Sequence, residues 1–167
     1  MTGVQTCALP ILVTGGVGSI GSELCRQIIR FAPEKLVIVD INESGLYDME
    51  MDFKSKLFDT EIVPVLCPIQ DRHVMSRIFE REKPEVVFHA AAYKHVPMLE
   101  LHPWEAVLNN IVGTQCVLDL CAGAGVRRCV VVSTDKAVRP TNVMGASKRV
   151  GELLAQAYAT ELGARNM

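Results

Sequence analysis

The chain has 167 residues, enough for one domain with a hydrophobic core. Lys plus Arg number 17 and Asp plus Glu 19, a net charge of −2, so no basic excess marks a nucleic-acid binder. Apolar residues make up 49%, and no uninterrupted apolar run approaches the roughly 20 residues of a membrane span.

The opening segment from Met1 to Ile11 resembles the translation of a sequencing-library adapter. It has no basic n-region and too short an apolar run for a signal peptide. Pro10 would fall within or against the first strand, and proline is poorly tolerated in a central strand. Residues 1–11 are therefore read as non-native, and 12–167 as one dinucleotide-binding domain.

A short apolar strand, Ile11 to Thr14, runs into Gly15-Gly16-Val17-Gly18-Ser19-Ile20-Gly21 and then a helix to about Phe31. Gly15 allows the tight turn, Gly18 lets a pyrophosphate approach the backbone, and Gly21 lets helix and strand pack closely. The helix start, at Ser19 and Ile20, offers free N–H groups to phosphates. The strand before the turn and the helix after it are the context that makes this pattern a dinucleotide site.

A second strand, Leu36 to Asp40, ends on an acid about 20 residues after the glycine turn, where a carboxylate takes ribose hydroxyls. No cation follows in Ile41-Asn42-Glu43, so NAD is favoured over NADP. A helix is predicted over 44–57 and a third strand from Glu61 to Leu66. Asp71 caps the next helix, which runs to about Glu82, or accepts from an adenine amino group.

The fourth strand, Glu85 to His89, opens into Ala90-Ala91-Ala92-Tyr93-Lys94-His95. The three alanines are either a thin wall for a flat cofactor or simple close packing. Lys94 and His95 stand at the cleft mouth, and His89 reads as a satisfied strand-end histidine. A helix is predicted from Pro103 to about Ala122. It carries the tandem Asn109-Asn110, of which Asn109 is placed on the surface and Asn110 near the active site.

The fifth strand, Cys129 to Val132, delivers Ser133-Thr134-Asp135-Lys136 to the sheet rim, where ligands bind in such folds. A helix starting near Met144 carries Lys148, whose long stem can lean back over that rim. The six cysteines lack CxxC spacing and sit mostly in apolar runs, which reads as reduced thiols in a cytoplasmic protein with no metal site. Strand and helix alternate throughout. The expected fold is α/β, a doubly wound parallel sheet (a Rossmann fold) of order 3-2-1-4-5. No sixth strand or C-terminal substrate lobe follows, so the chain is expected to be a fragment of a homo-oligomeric parent.

Three motifs carry a resemblance: the glycine turn from Gly15 to Leu24, His89 to Pro97, and Ser133 to Val138. From about Leu12 onward the chain resembles the extended short-chain dehydrogenase/reductases. Within them it is similar to the polysaccharide-biosynthesis (CapD-like) nucleoside-diphosphate-sugar 4,6-dehydratases. The resemblance implies pyrophosphate binding by Gly15, Gly18 and Gly21, ribose binding by Asp40, and nicotinamide-ribose binding by Lys148. It implies that Asp135 protonates the departing 6-hydroxyl, Lys136 is the base at C5, and Thr134 holds the 4-hydroxyl. Lys94 and Asn110 are expected to touch the substrate, a UDP-N-acetylhexosamine. Met144 stands where the superfamily carries a tyrosine base, and a thioether cannot take a proton. The dehydratases whose parent proteins bear N-terminal membrane helices also carry methionine there. The alternatives are a sugar-nucleotide epimerase on the same fold, or a dinucleotide-binding fragment without catalysis.

Overall fold

The computed structural model describes residues 9–56 and 58–165. Five parallel strands form one sheet of order β3-β2-β1-β4-β5. They are β1 (Pro10–Thr14), β2 (Lys35–Asp40), β3 (Glu61–Leu66), β4 (Val86–His89) and β5 (Arg128–Val131). Helices α1 (Ser19–Ile28), α2 (Glu43–Ser55) and α3 (Arg72–Glu82) alternate with the first strands. Between β4 and β5 lie α4 (Val96–Leu101), a short α5 (Pro103–Glu105), a π-helical stretch (Ala106–Val112) and α6 (Gly113–Gly123). A long α7 (Val143–Arg165) closes the described chain.

The alternation of side chains along each strand divides the core into two layers. Leu12, Val37 and Val87 face one way and pack with Met75 and Phe79 of α3 and Val117 of α6. Val13, Leu36 and Ile38 face the other and pack with Cys25 of α1 and Leu46 and Phe53 of α2. Both faces of the sheet are thus covered, which is why the central strands read as continuous apolar runs. The chain leaves the centre outward through β2 and β3, then returns to build β4 and β5 on the other side. The crevice between β1 and β4 is the switch point where such sheets bind ligands.

Pro10 is the first residue of β1, paired with Lys35, and its carbonyl accepts from the Glu85 amide at 2.9 Å. The expected conflict between proline and a central strand does not arise, because its missing N–H falls at the strand start. Residues 1–8 of the expected non-native segment lie outside the described residues.

The run from Pro103 to Gly123 is interrupted by polar residues but is helical throughout, across α5, the π-helical stretch and α6. Its 21 residues form one helix long and apolar enough to cross a membrane, although half of its most apolar window is buried in the fold. The described cysteines are free thiols, and burial pushes Cys25 up to about 12 and Cys67 up to about 11. At the edge of the sheet opposite the crevice, Lys35 donates to Glu82 at 2.7 Å.

Candidate active-site cleft

The glycine turn after β1 is forced by contact on two sides. Gly15 has φ of +64°, and a Cβ there would stand 2.6 Å from the Ala91 backbone. At Gly21 a Cβ would run into the Gly15 carbonyl. Gly18 is the N-cap of α1, and the first turn of that helix carries no acid. Ser19 and Ile20 stand exposed at its N-terminus.

Asp40 ties this turn to the end of β2. One carboxylate oxygen accepts from the Val17 amide at 3.1 Å, and the other accepts from Ile41 at 2.8 Å and Asn42 at 3.0 Å. A cleft of about 650 Å³ lies here, lined by Gly15, Gly18, Asp40, Ile69, the three alanines Ala90, Ala91 and Ala92, Tyr93 and Asn109 among others. Asp71 is not on its lining; it caps α3 by accepting from the Val74 amide at 3.0 Å. Of its two sequence readings, the cap is the one with a bond behind it.

A second cleft of about 870 Å³ adjoins the first and shares Ala90, Ala92 and Tyr93 with it. Ile20, Lys94, His95, Thr134, Lys136, Met144 and Lys148 also line it. Lys148 leans back from α7 as its stem length suggests, and donates to the Val132 carbonyl at 2.6 Å. Burial holds its ammonium below the usual lysine range. Ser133 donates to Glu152 at 2.6 Å, so α7 grips the end of β5 at two points. Lys94 reaches back to Ser19, donating to its hydroxyl at 2.9 Å, and so spans from the second cleft to the start of α1.

Thr134 donates to the Asp135 carboxylate at 2.9 Å, and the Lys136 ammonium lies 3.4 Å from the same oxygen. The Thr134 hydroxyl, and next the Lys136 ammonium, hold Asp135 below the usual carboxylate range. The sequence reading required burial to bring this pair toward neutral. That burial is absent: both side chains are exposed, and Asp135 is not on the cleft lining. Met144 is 4% exposed and packs with Leu99 and Ala106 on the floor of the second cleft.

The tandem asparagines are corrected more sharply. Asn109 is buried, not on the surface, and donates to the Asn110 side-chain oxygen at 3.1 Å. That oxygen also accepts from the Tyr93 amide at 2.8 Å. The Asn110 amide nitrogen donates to the Tyr93 carbonyl and to the Ser147 hydroxyl, each at 3.0 Å. Every hydrogen-bonding position of the Asn110 side chain is therefore filled from within the fold. It clasps the 90–95 loop to α7 and has nothing left to offer a substrate.

His89 is fully enclosed, as a satisfied histidine should be. Thr114 donates to the Asn110 backbone carbonyl at 2.6 Å, so it must accept from Nε2–H of His89 at 2.9 Å. Nδ1 then accepts from the Thr14 hydroxyl at 2.7 Å, and Thr14 in turn accepts from the Ala91 amide at 3.4 Å. The chain runs in one direction and fixes the tautomer. Burial, and next the Lys148 charge, hold the imidazole down at about 3. The contacts of Thr14, Thr114 and Ser147 escaped the sequence reading, since these partners lie 75, 25 and 37 residues away.

Known proteins resemble this chain in sequence and in shape. The family described as polysaccharide biosynthesis protein matches residues 11–167, and the chain belongs to that family. The capsular polysaccharide biosynthesis protein CapD of Staphylococcus aureus is 44% identical over 148 residues, covering 87% of this chain and 24% of that protein. A UDP-N-acetylglucosamine 4,6-dehydratase (inverting) of Campylobacter jejuni is 36% identical, covering 86% of this chain and 42% of that protein. The solved UDP-glucose 4-epimerase of Thermotoga maritima superimposes with a TM-score of 0.80 at 28% identity, over 93% of this chain and 52% of that one. The chain thus spans less than half the length of these two curated relatives. The motif resemblance to CapD-like short-chain dehydrogenase/reductases is borne out, as is the Rossmann fold.

Proposed function

We propose that this chain is the cofactor-binding part of an NAD-dependent nucleoside-diphosphate-sugar 4,6-dehydratase of polysaccharide biosynthesis, acting on a UDP-N-acetylhexosamine. One observation carries the reading. Thr134, Lys136 and Lys148 line a cleft that shares a wall with the glycine turn and Asp40.

The residues present fit a dinucleotide. Gly15, Gly18 and Gly21 leave the turn bare, Ser19 and Ile20 present the helix start, and Ala90, Ala91 and Ala92 form a flat wall. Asp40 would take the adenosine ribose, and a 2′-phosphate would meet its carboxylate with no cation in Ile41-Asn42-Glu43. This favours NAD over NADP. Lys148 would hold the nicotinamide ribose, and Lys94 the substrate's diphosphate. When bound, the nicotinamide accepts hydride from sugar C4 and returns it at C6.

The chain's own residues then move protons. Met144 cannot deprotonate the 4-hydroxyl. Thr134 can pass that proton to Asp135, because its own hydroxyl already donates to that carboxylate. Asp135 begins ionised, as a proton acceptor must, and becomes the acid that protonates the departing 6-hydroxyl. The C4 ketone acidifies the C5 proton, which Lys136 removes after its ammonium has released one proton to solvent. Water leaves, and Lys136 returns its proton to C5 once hydride has reached C6. A covered cleft is needed, since solvent would otherwise screen the pair.

An epimerase reading draws on the exposure of Asp135 in this state and on the epimerase shape match. One experiment separates the readings: incubation with NAD and UDP-N-acetylglucosamine, followed by mass analysis. A product lacking one water supports the dehydratase. A product of unchanged mass with inverted C4 supports the epimerase. NAD binding without turnover leaves a binding module.

A further inference from the structure

The first turn of α7 is held from two sides. Asn142 caps it locally, accepting from the Gly145 amide at 2.7 Å. The Val143 amide donates elsewhere, to the Glu100 carboxylate at 2.7 Å, from a residue 43 positions earlier on α4. Next to these, Leu99 of α4 packs with Met144 of α7 in a small apolar cluster. Two successive residues of α4 therefore grip two successive residues of α7, one pair by burial and one by a charge-assisted bond at a helix start.

This grip is separate from the two core layers of the sheet. One turn further along α7, Lys148 reaches the Val132 carbonyl. The first turn itself packs against Lys136, because Gly145 abuts the Lys136 carbonyl. An isolated helix of six residues is not stable alone, so α4 itself depends on this contact. The segment just before it, Tyr93 to His95, lines the second cleft.

We propose that Glu100 is a positioning residue, which through the Val143 amide fixes where Lys148 and Lys136 stand over the end of β5. Its catalytic consequence rests on the dehydratase reading; its geometric claim does not.

The test is chemical labelling of lysines with acetic anhydride in this chain, read residue by residue by mass spectrometry. Glu100→Ala removes the acceptor. Val143→Pro removes the donor at a helix position where proline is well tolerated. Each is expected to raise the Lys148 labelling rate about fivefold, the population change typical of one lost helix cap. Lys35, bound to Glu82 at the far edge of the sheet, serves as the control and is expected to keep its rate. Glu100→Gln retains an accepting oxygen and is expected to stay within about twofold of the unaltered chain. An unchanged Lys148 rate in both variants overturns the proposal. So does an equal rise at Lys35, which would mean general loosening, or a Gln variant that behaves like Ala. Failure of dehydration in the unaltered chain would instead overturn the reaction and leave the labelling contrast standing.

Discussion

Gly145, in the first turn of α7, lies so close to the Lys136 carbonyl that a Cβ there would overlap it. The obstacle is backbone, not the movable end of a side chain, so one of the two segments must shift. Alanine gains about 1 kcal/mol of helix propensity over glycine, whereas overpacking of this kind costs about 1–3 kcal/mol. The clash is expected to win. Gly145→Ala should lower the urea midpoint and abolish turnover by displacing Lys136. A variant of unchanged stability and activity would mean that this contact is dispensable.

Asp40 gives the second prediction. Its carboxylate serves the Val17, Ile41 and Asn42 amides as well as the proposed ribose. Asp40→Ala should weaken NAD binding by about 1–3 kcal/mol, the loss of a charge-assisted bond. The preference for NAD over NADP should narrow at the same time, because the repelling carboxylate is gone. Calorimetric titration of both dinucleotides checks this, and unchanged NAD affinity would contradict the ribose assignment.

His89 makes folding sensitive to acid. Its imidazole titrates near 3 when folded against an ordinary value of 6.5, so the unfolded chain binds the extra proton between those limits. Its contribution is fully present above about pH 6.5 and is lost as the pH falls toward 3. The upper part of that window lies above the carboxylate range, where few other groups titrate. Urea midpoints measured from pH 7 to 5 should fall, and His89→Gln should flatten the slope. An equal slope in the variant would remove His89 as the cause.

Asp135→Asn separates binding from chemistry. The amide keeps the size of the group but can neither receive the proton offered through Thr134 nor deliver one to the leaving hydroxyl. Turnover should fall at least about a hundredfold, the usual scale of general acid catalysis. NAD affinity should stay within about twofold of the unaltered chain, since Asp135 lies off the lining of both clefts. Retained turnover would remove Asp135 from the acid role.

The sheet was legible because its strands are short apolar runs bounded by turns; Glu61 to Leu66 was placed with its observed limits. The glycine turn, Asp40 at the end of β2, and the reach of Lys148 followed from spacing and stem length. Four features were hidden. The short α4 lacks an apolar period long enough to read, and it is held by Glu100 and Leu99 meeting α7. The π-helical stretch gives no composition signal beyond the tandem asparagines. The side chain of Asn110 meets partners 17 and 37 residues away, so its clasp is a property of the packed structure alone. Asp135 is held ionised first by the Thr134 hydroxyl and next by the Lys136 ammonium, and the burial expected to oppose them is absent.

The most direct test of the proposed chemistry is turnover of UDP-N-acetylglucosamine with NAD in deuterated water, with the product analysed by NMR. Elimination across C5 and C6 requires that the C5 proton leave and be replaced. The expected product has lost one water and carries solvent deuterium at C5, and Lys136→Ala is expected to form none of it. A product of unchanged mass with no deuterium at C5 would contradict the dehydratase and leave oxidation and reduction at C4 alone.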